Sequence, residues 1–240
     1  MSSTAYIGNE LEIFQHATHW KNYYCKHIRP YLTGNVLEVG GGLGSTAQAL
    51  CDGNQEHWTS LEPDLQLARR MKKRLKADPL PCPTSIVAGS VASLRRDKSF
   101  DAIVYIDVLE HIEDDQGELE EAAQRLAPGG KLIVLSPAHQ YLFSEFDAKI
   151  GHFRRYSAES LADVGPGGLE TVRIFYLDSV GMLASLANRL LLRSGEPTLS
   201  QIRVWDTLMV PASRWMDRIL FHRVGKSVVG VWRSPQTAAD

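Results

Sequence analysis

The feature that most constrains this chain of 240 residues is a short apolar segment that runs directly into a glycine-rich turn. Residues 36–39 have the length and apolar character of a buried strand, and the residues from Ser45 onward have a helical pattern. Between them stand three alternate glycines, Gly40, Gly42 and Gly44. Glycine adopts backbone angles closed to other residues and lets a ligand approach the main chain. The stretch therefore predicts a nucleotide pocket at the carboxyl end of a parallel sheet.

The spacing within this turn separates two classes of nucleotide. A dinucleotide fingerprint has glycines at offsets 0, 2 and 5, whereas the third glycine here is at offset 4. Glu38 precedes the first glycine by two residues, and its carboxylate would repel a pyrophosphate but attract a cation. At this point the chain resembles the class I S-adenosylmethionine-dependent methyltransferases, whose first motif Glu38, Gly40, Gly42 and Gly44 match. That cofactor carries a sulfonium, an ammonium and no phosphate; a tight turn without a ligand is the alternative.

Three further strand ends carry residues that would complete a cofactor site. The second predicted strand ends in Glu62, and an acid at that place can accept hydrogen bonds from both ribose hydroxyls. Ser90 and Val91 follow the third strand, where members of the family often have an acid that meets the adenine. The apolar run of the fourth strand ends at Asp107. The cofactor-binding residues expected from the motif and the resemblance are Glu38, Gly40, Gly41, Gly42, Glu62, Pro63, Ser90, Val91, Asp107 and Val108.

The alternation of strands and helices predicts an α/β fold with a doubly wound sheet. The resemblance implies a mostly parallel, seven-stranded, Rossmann-like sheet whose last two strands form an antiparallel pair. We expect one domain over residues 1–240, with an N-terminal helical cap at 1–34 and a core at 35–176 and 227–233. The pattern also predicts a capping box at 115–118 and a fifth strand at 131–135, with a Pro-Gly-Gly turn before that strand.

Residues 177–226 are far longer than a hairpin connection requires, so we interpret them as a helical insertion. Three apolar stripes at helical spacing predict three helices, the second ending before Pro211 and the third beginning after it. The stripes are Met182, Leu183, Leu186, Ala187, Leu190 and Leu191; Val204, Trp205, Leu208 and Met209; and Trp215, Met216, Ile219 and Leu220. A cap packed on the domain is one interpretation. An apolar lid over the substrate, a dimer face and a membrane-surface contact are the others.

Residues 136–156 form a segment rich in His, Arg and Tyr at the ligand edge of the sheet, which is typical of a substrate wall. The segment resembles a subgroup of small bacterial methyltransferases with Asp147 followed by Gly-His-x-Arg-Arg-Tyr. In one interpretation His152 or His139 accepts a proton while Arg154 or Arg155 holds an anionic group. In the other, Asp147, His152 and Arg155 pair and fix the loop. The candidate general bases are His111 and His152, and the candidate substrate contacts are His139, Tyr141, Arg154, Arg155 and Tyr156.

Composition and motifs limit the class of substrate that this chain is expected to bind. The net charge of −2 provides no basic field for nucleic acid, and the fourth strand lacks the Asn/Asp-Pro-Pro-aromatic group of DNA amino-methylating enzymes. We therefore expect a small-molecule acceptor such as a secondary metabolite, a sugar or a lipid-linked precursor. We expect no metal site, because no carboxylate or cysteine completes a ligand set around His16, His19 and His27.

The cysteines Cys25, Cys51 and Cys82 have no paired spacing, which indicates a reducing compartment. No signal peptide or membrane-spanning run is visible, so we expect a cytoplasmic protein, as a monomer or a homodimer, for which peripheral membrane contact is left open. Two other functions fit parts of the pattern: an NAD(P)-dependent oxidoreductase, and a non-catalytic binding module of the same fold.

Overall fold

The computed structural model describes Phe14 and residues 16–95, 97–187 and 198–236. Over these residues the strands are β1 (Gly34–Val39), β2 (Gln55–Glu62), β3 (Thr84–Ala88), β4 (Phe100–Ile106), β5 (Leu126–Pro137), β6 (Glu170–Leu177) and β7 (Ser227–Arg233). The helices are α1 (Thr18–Ile28), α2 (Ser45–Leu50), α3 (Leu65–Ala77), α4 (Asp115–Ala123), α5 (Glu145–Lys149), α6 (Ala158–Asp163), α7 (Ser179–Ala187), α8 (Leu199–Val204) and α9 (Val210–Ile219). No helix among these residues is both long and apolar enough to cross a membrane.

The strands form one sheet in the order β3-β2-β1-β4-β5-β7-β6. Strands β1 to β5 pair in parallel, and β7 runs antiparallel to both of its neighbours, β5 and β6. The predicted doubly wound, seven-stranded sheet is therefore confirmed. The strand order reverses between β1 and β4, and in such sheets the ligand crevice opens at the carboxyl ends of those two strands.

Alternate residues of the central strands pack on opposite faces of the sheet, as the strand period of two requires. Val36 and Ile133 lie in a buried cluster with side chains from α1, α2 and α3. Leu37 and Leu132 lie in the cluster on the other face with side chains from α4 and α6. Because both faces are covered, the strand ends are held on a rigid frame.

Two predicted boundaries in the middle of the chain were wrong. The N-cap of α4 is Asp114 rather than Asp115, since the Asp114 carboxylate accepts a hydrogen bond from the Gly117 amide (3.1 Å). Glu118, predicted to close a capping box, instead accepts a hydrogen bond from the Tyr105 hydroxyl (2.9 Å). Strand β5 begins at Leu126 rather than at 131, because pairing with β4 continues through a register shift across the Pro-Gly-Gly sequence.

The insertion differs from its prediction at Pro211. Helices α8 and α9 are joined by a π turn, Trp205–Met209, so one continuous helical rod runs from Leu199 to Ile219. Pro211 lies in the first turn of α9, next to the π turn, where its missing N–H is tolerated. Leu190 and Leu191 of the first predicted stripe lie outside the described residues.

The spacing of the cysteines in the sequence also gave no indication of a contact between two of them. The structure brings the sulfur atoms of Cys51 and Cys82 to 2.9 Å from each other, across 31 residues of sequence. Spacing could not reveal this pair, because the chain passes through β2 and α3 between the two residues. Both residues are free cysteines in this structure.

Candidate active site

The glycine turn lies at the point where the strand order reverses. Gly40, Gly42 and Gly44 all have positive φ angles, of 70°, 53° and 79°. A Cβ atom on Gly40 would lie 2.5 Å from a methyl group of Val108, at the end of β4. The Gly40 amide donates to the carbonyl of Leu61, at 2.8 Å. Glycine at position 40 is therefore required by close packing between strand ends, in addition to any approach of a ligand.

Glu38 is the buried acid of the turn, with 2% of its surface exposed. Its Oε2 accepts hydrogen bonds from the Ser60 hydroxyl (2.6 Å) and the Trp58 indole (3.2 Å). Burial raises the pKa of Glu38 to about 7, although these two hydrogen bonds oppose the shift. Its Oε1 is also buried and has no partner with hydrogen-bond geometry in the described part of the chain, although the Ala47 amide lies near the carboxylate. An unsatisfied buried carboxylate oxygen is costly, so this atom favours a bound cation or hydrogen-bond donor.

Glu62 at the end of β2 has a structural role that the sequence did not reveal. Its Oε2 accepts a hydrogen bond from the Gly42 amide (2.8 Å), and its Oε1 accepts one from the Asp64 amide (2.9 Å). Burial raises the pKa of Glu62, while these two amides lower it. Glu62 therefore ties the glycine turn to β2. Each carboxylate oxygen can accept a second hydrogen bond, so the side chain can still bind a pair of hydroxyls.

Three non-glycine residues with positive φ stand where strands leave the sheet. Asp107 follows β4 (φ 53°), His139 follows β5 (φ 68°) and Asp178 follows β6 (φ 68°). Such backbone strain is maintained most often at functional sites. Asp107 is exposed at this edge, and its amide donates to the Leu135 carbonyl at 2.8 Å.

The other expected cofactor residues lie at the neighbouring strand ends. Pro63 and Ser90 are exposed after β2 and β3, whereas Val91 is buried at the start of a 3₁₀ turn. The Gly89 amide donates to the carbonyl of Glu62 at 3.0 Å, which holds these two ends together. The predicted set is therefore gathered along the carboxyl ends of β1, β2, β3 and β4.

The predicted substrate loop, residues 136–156, is held in place by ion pairs. Asp147 is buried and accepts two hydrogen bonds from Arg155 (2.9 and 3.0 Å) and one from the His152 ring (3.0 Å). Burial alone would raise the pKa of Asp147, but the hydrogen bond from His152 and the charge of Arg155 hold it well below its usual range. The pairing interpretation of this motif is thus the one that the structure shows. We name Asp147, His152 and Arg155 the loop clasp.

A second carboxylate, Asp115, holds the remaining residues of the motif. Its Oδ2 lies 2.6 Å from an Arg154 guanidinium nitrogen and accepts a hydrogen bond from the Tyr156 hydroxyl at 2.7 Å. Tyr156 is only 1% exposed. The three residues join the loop to the start of α4. Contact of Arg154, Arg155 and Tyr156 with a substrate remains a prediction.

Next to the loop clasp is a cluster formed by Glu110, His111 and His152. Glu110 is fully buried; its Oε2 accepts a hydrogen bond from Ser136 (2.9 Å), while its Oε1 has no hydrogen-bond partner among the described residues. The rings of His111 and His152 are 4.5 Å apart between centroids. One ligand atom from each of the three residues lies within 4.8 Å of the others, so these residues could hold a metal ion.

Burial and the neighbouring His152 lower the pKa of His111 to about 4. The sequence pattern indicated both histidines as candidates but not Glu110. Its position one residue before His111 in the fourth-strand motif was the available signal.

The sequence pattern also did not indicate two tyrosines that lie at this edge of the sheet. The His139 ring lies between the rings of Tyr141 and Tyr176, 5.0 Å from each. Burial lowers the pKa of His139. Tyr24 of α1 reaches the glycine turn, where its hydroxyl bonds to Thr46. No motif marks Tyr24 or Tyr176, because long-range packing brings them to the site.

With the geometry established, comparison with known proteins decides the family. Residues 37–134 match the family model described as "Methyltransferase domain". This region is a class I methyltransferase domain. It contains the glycine turn, Glu62 and the ends of β3 and β4.

Known proteins are similar to this chain in sequence or in fold. The chain is 32% identical over 139 residues to demethylmenaquinone methyltransferase of Tropheryma whipplei, with 54% of this chain and 53% of that protein covered. The chain thus spans about half the length of that relative. A Haemonchus contortus phosphoethanolamine N-methyltransferase 2 structure with S-adenosyl-L-methionine has a TM-score of 0.61 at 15% identity, covering 95% of this chain and 57% of that one. The [4+2]-cyclase SpnF has a TM-score of 0.60 at 18% identity, covering 90% and 81%. The structural matches show the fold alone.

The methyltransferase domain yields a first testable prediction at Glu38. With a pKa of about 7, this group is mostly protonated at about pH 6 and mostly ionised at about pH 8. A cationic ligand binds the ionised form, so its binding releases a proton and its affinity rises with pH before levelling above the pKa. We expect S-adenosylmethionine to bind about tenfold more weakly at about pH 6 than at about pH 8.

Calorimetry across that range measures this effect, with Glu38→Gln as the control. The ammonium of the ligand titrates alike in both proteins, so the difference between their pH slopes reports Glu38. Identical slopes in the two proteins would contradict the assignment.

Proposed function

We propose that this chain transfers the methyl group of S-adenosylmethionine to a small-molecule acceptor with an apolar part, such as a secondary metabolite, a sugar or a lipid-linked precursor. We further propose that residues 1–240 act as one unit, monomeric or homodimeric. The observation that carries the proposal is the pair of buried carboxylates around the glycine turn. Glu38 presents an unsatisfied oxygen there, and Glu62 holds the Gly42 amide.

The residues divide into two groups by their place at the sheet edge. Those at the ends of β1 to β4 would bind the cofactor: Glu38, Gly40, Gly41, Gly42, Glu62, Pro63, Ser90, Val91, Asp107 and Val108. Those after β5 would form the acceptor wall: His139, Tyr141, Arg154, Arg155 and Tyr156. In that wall His139 and Tyr141 are stacked, and the Tyr141 hydroxyl contacts the sulfur of Met182 in the insertion, at 3.8 Å.

When bound, S-adenosylmethionine supplies a methyl group already activated by a sulfonium, so the protein mainly has to align the acceptor and exclude water. A general base is needed only for an acceptor that arrives protonated. We propose His111 or His152 for that task. His111 is neutral at physiological pH because burial lowers its pKa, and His152 is held in one orientation by Asp147.

An activated donor needs no Lewis acid, so we expect turnover without a metal. Dialysis against EDTA should leave the rate of S-adenosylhomocysteine formation unchanged. A rate that falls and is restored by one divalent cation would contradict this expectation. It would instead assign Glu110, His111 and His152 as a ligand set.

Two measurements test the function itself. Calorimetry should show binding of S-adenosylhomocysteine and none of NAD, since a pyrophosphate would face Glu38. An acceptor panel that includes demethylmenaquinone, the substrate in the name of a relative, should then yield S-adenosylhomocysteine with partly apolar acceptors. Methylation of compact polar acceptors only would refute the acceptor class. Cofactor binding without turnover, together with an undisturbed biological role in Glu38→Ala, would favour a non-catalytic module.

A further inference from the structure

The helical rod of the insertion is built with its polar side inward. Five residues at spacings of four, four, three and four form one buried stripe, and three of them are polar: Ile202, Asp206, Val210, Ser213 and Asp217. The opposite stripe consists of the residues two positions after Asp206, Val210, Ser213 and Asp217. These residues are Leu208, Ala212, Trp215 and Ile219. Leu208, Trp215 and Ile219 are 66%, 73% and 67% exposed. This arrangement is the reverse of an ordinary surface helix, whose apolar stripe faces the core.

Hydrogen bonds explain why the polar stripe is buried. Asp217 accepts bonds from the Tyr23 hydroxyl (2.7 Å) and from the amides of Asp178 (2.7 Å) and Ser179 (2.9 Å). Asp206 accepts a bond from the Trp20 amide at 2.8 Å. The rod is therefore docked on α1 and on the start of α7 by its carboxylates. This orientation leaves its apolar stripe facing outward.

The exposed charges in the described part of the insertion all have one sign. Arg203, Arg218 and Arg223 are exposed and Arg214 is half-buried. The carboxylates in the described part of the insertion, Asp178, Asp206 and Asp217, are buried. An apolar stripe that contains a tryptophan and is flanked by arginines is typical of helices that lie in an anionic membrane interface.

We propose that the outer stripe binds the surface of an anionic lipid bilayer, with Trp215 and Ile219 at the level of the headgroups. Phe221, just beyond α9, is 78% exposed and extends this surface. A second copy of the chain fits less well. A two-fold interface brings the same surface onto itself, so arginines would face arginines without an exposed carboxylate from the described insertion. The inference concerns a surface and does not depend on methyl transfer.

The insertion begins and ends beside the candidate active site. Leu177, which precedes the insertion, and Ser227, which follows it, are paired in register, and Ser227 also pairs with Pro137 at the end of β5. The insertion therefore leaves and rejoins the sheet at the edge that carries His139.

Vesicle binding tests the proposal with the full chain. The probes are vesicles of phosphatidylcholine alone and of phosphatidylcholine mixed with phosphatidylglycerol, in a co-sedimentation assay at low salt. We expect binding to the mixed vesicles that is at least tenfold weaker for Trp215→Ser/Ile219→Ser and for Arg203→Gln/Arg218→Gln. The matched control is Leu65→Ser, at an apolar residue of α3 that is 57% exposed.

A measurement on the unmodified chain removes any dependence on variant folding. Trp215 is the exposed tryptophan, since Trp20, Trp58 and Trp232 are buried and Trp205 is half-buried. Brominated lipids should therefore quench the part of the tryptophan fluorescence that comes from Trp215 and shift the wavelength of the remaining fluorescence. Absence of vesicle binding and quenching would overturn the proposal. So would equal binding to neutral and anionic vesicles, or a dimer in sedimentation velocity that Trp215→Ser dissociates.

Discussion

Replacement of Glu62 by alanine is expected to weaken S-adenosylhomocysteine binding by about 100-fold. A hydrogen bond to a charged group contributes roughly 1.5–3 kcal/mol, and the carboxylate is expected to receive the two ribose hydroxyls. Loss of about 3 kcal/mol corresponds to about two factors of ten in the dissociation constant. The side chain also accepts the Gly42 amide, so its removal loosens the turn that would contact the ligand.

Calorimetry on folded protein measures this effect, and two variants control it. Glu62→Gln keeps one acceptor oxygen and should lose about tenfold. Glu56→Ala removes an exposed acid from the same strand and should bind as the unmodified chain does. Equal affinity in Glu62→Ala and Glu56→Ala would remove Glu62 from the cofactor site. NAD binding by the unmodified chain that Glu62→Ala weakens would instead support the oxidoreductase alternative.

Replacement of Asp217 by alanine is expected to lower the free energy of unfolding by about 4 kcal/mol. The carboxylate is fully buried and accepts hydrogen bonds from Tyr23, Asp178 and Ser179. Each buried donor left without a partner costs roughly 1–3 kcal/mol. The three donors lie on α1 and at the start of α7, so the insertion would lose its attachment at the place where it meets the sheet.

Urea unfolding followed by circular dichroism measures this loss. Asp217→Asn retains one acceptor oxygen and should lose about half as much. Arg218→Ala changes the exposed neighbour and should stay within about 0.5 kcal/mol of the unmodified chain. A loss below about 1 kcal/mol in Asp217→Ala would show that the rod is docked by contacts other than this carboxylate.

Local patterns gave much of the fold. Strand β1 ends at Val39, the last residue of the predicted strand 36–39, and β7 covers the predicted core segment 227–233, because short apolar runs between turn residues have few alternative structures. Glu38 and Glu62 were found for a similar reason. Parallel strands deliver their last residues to one edge, so acids after successive strands must lie near each other.

Local sequence patterns could not predict which side of the insertion is buried against the rest of the protein. The stripes near Pro211 predicted helical structure, but they predicted neither one continuous rod nor which side of it would be buried. That choice depends on the bond between Tyr23 and Asp217, which are 194 residues apart in sequence. The contact between Cys51 and Cys82 and the contacts of Asp115 with Tyr156 depend in the same way on residues that are far apart in sequence.

Neighbours along the chain specify the glycine turn, the acids beside it and the alternation of strands and helices. Long-range packing brings Glu110 next to His111 and His152. It also turns the apolar stripe of the rod outward. Buried carboxylates require hydrogen-bond donors, and the spacing of residues in the sequence does not indicate where in the fold those donors lie.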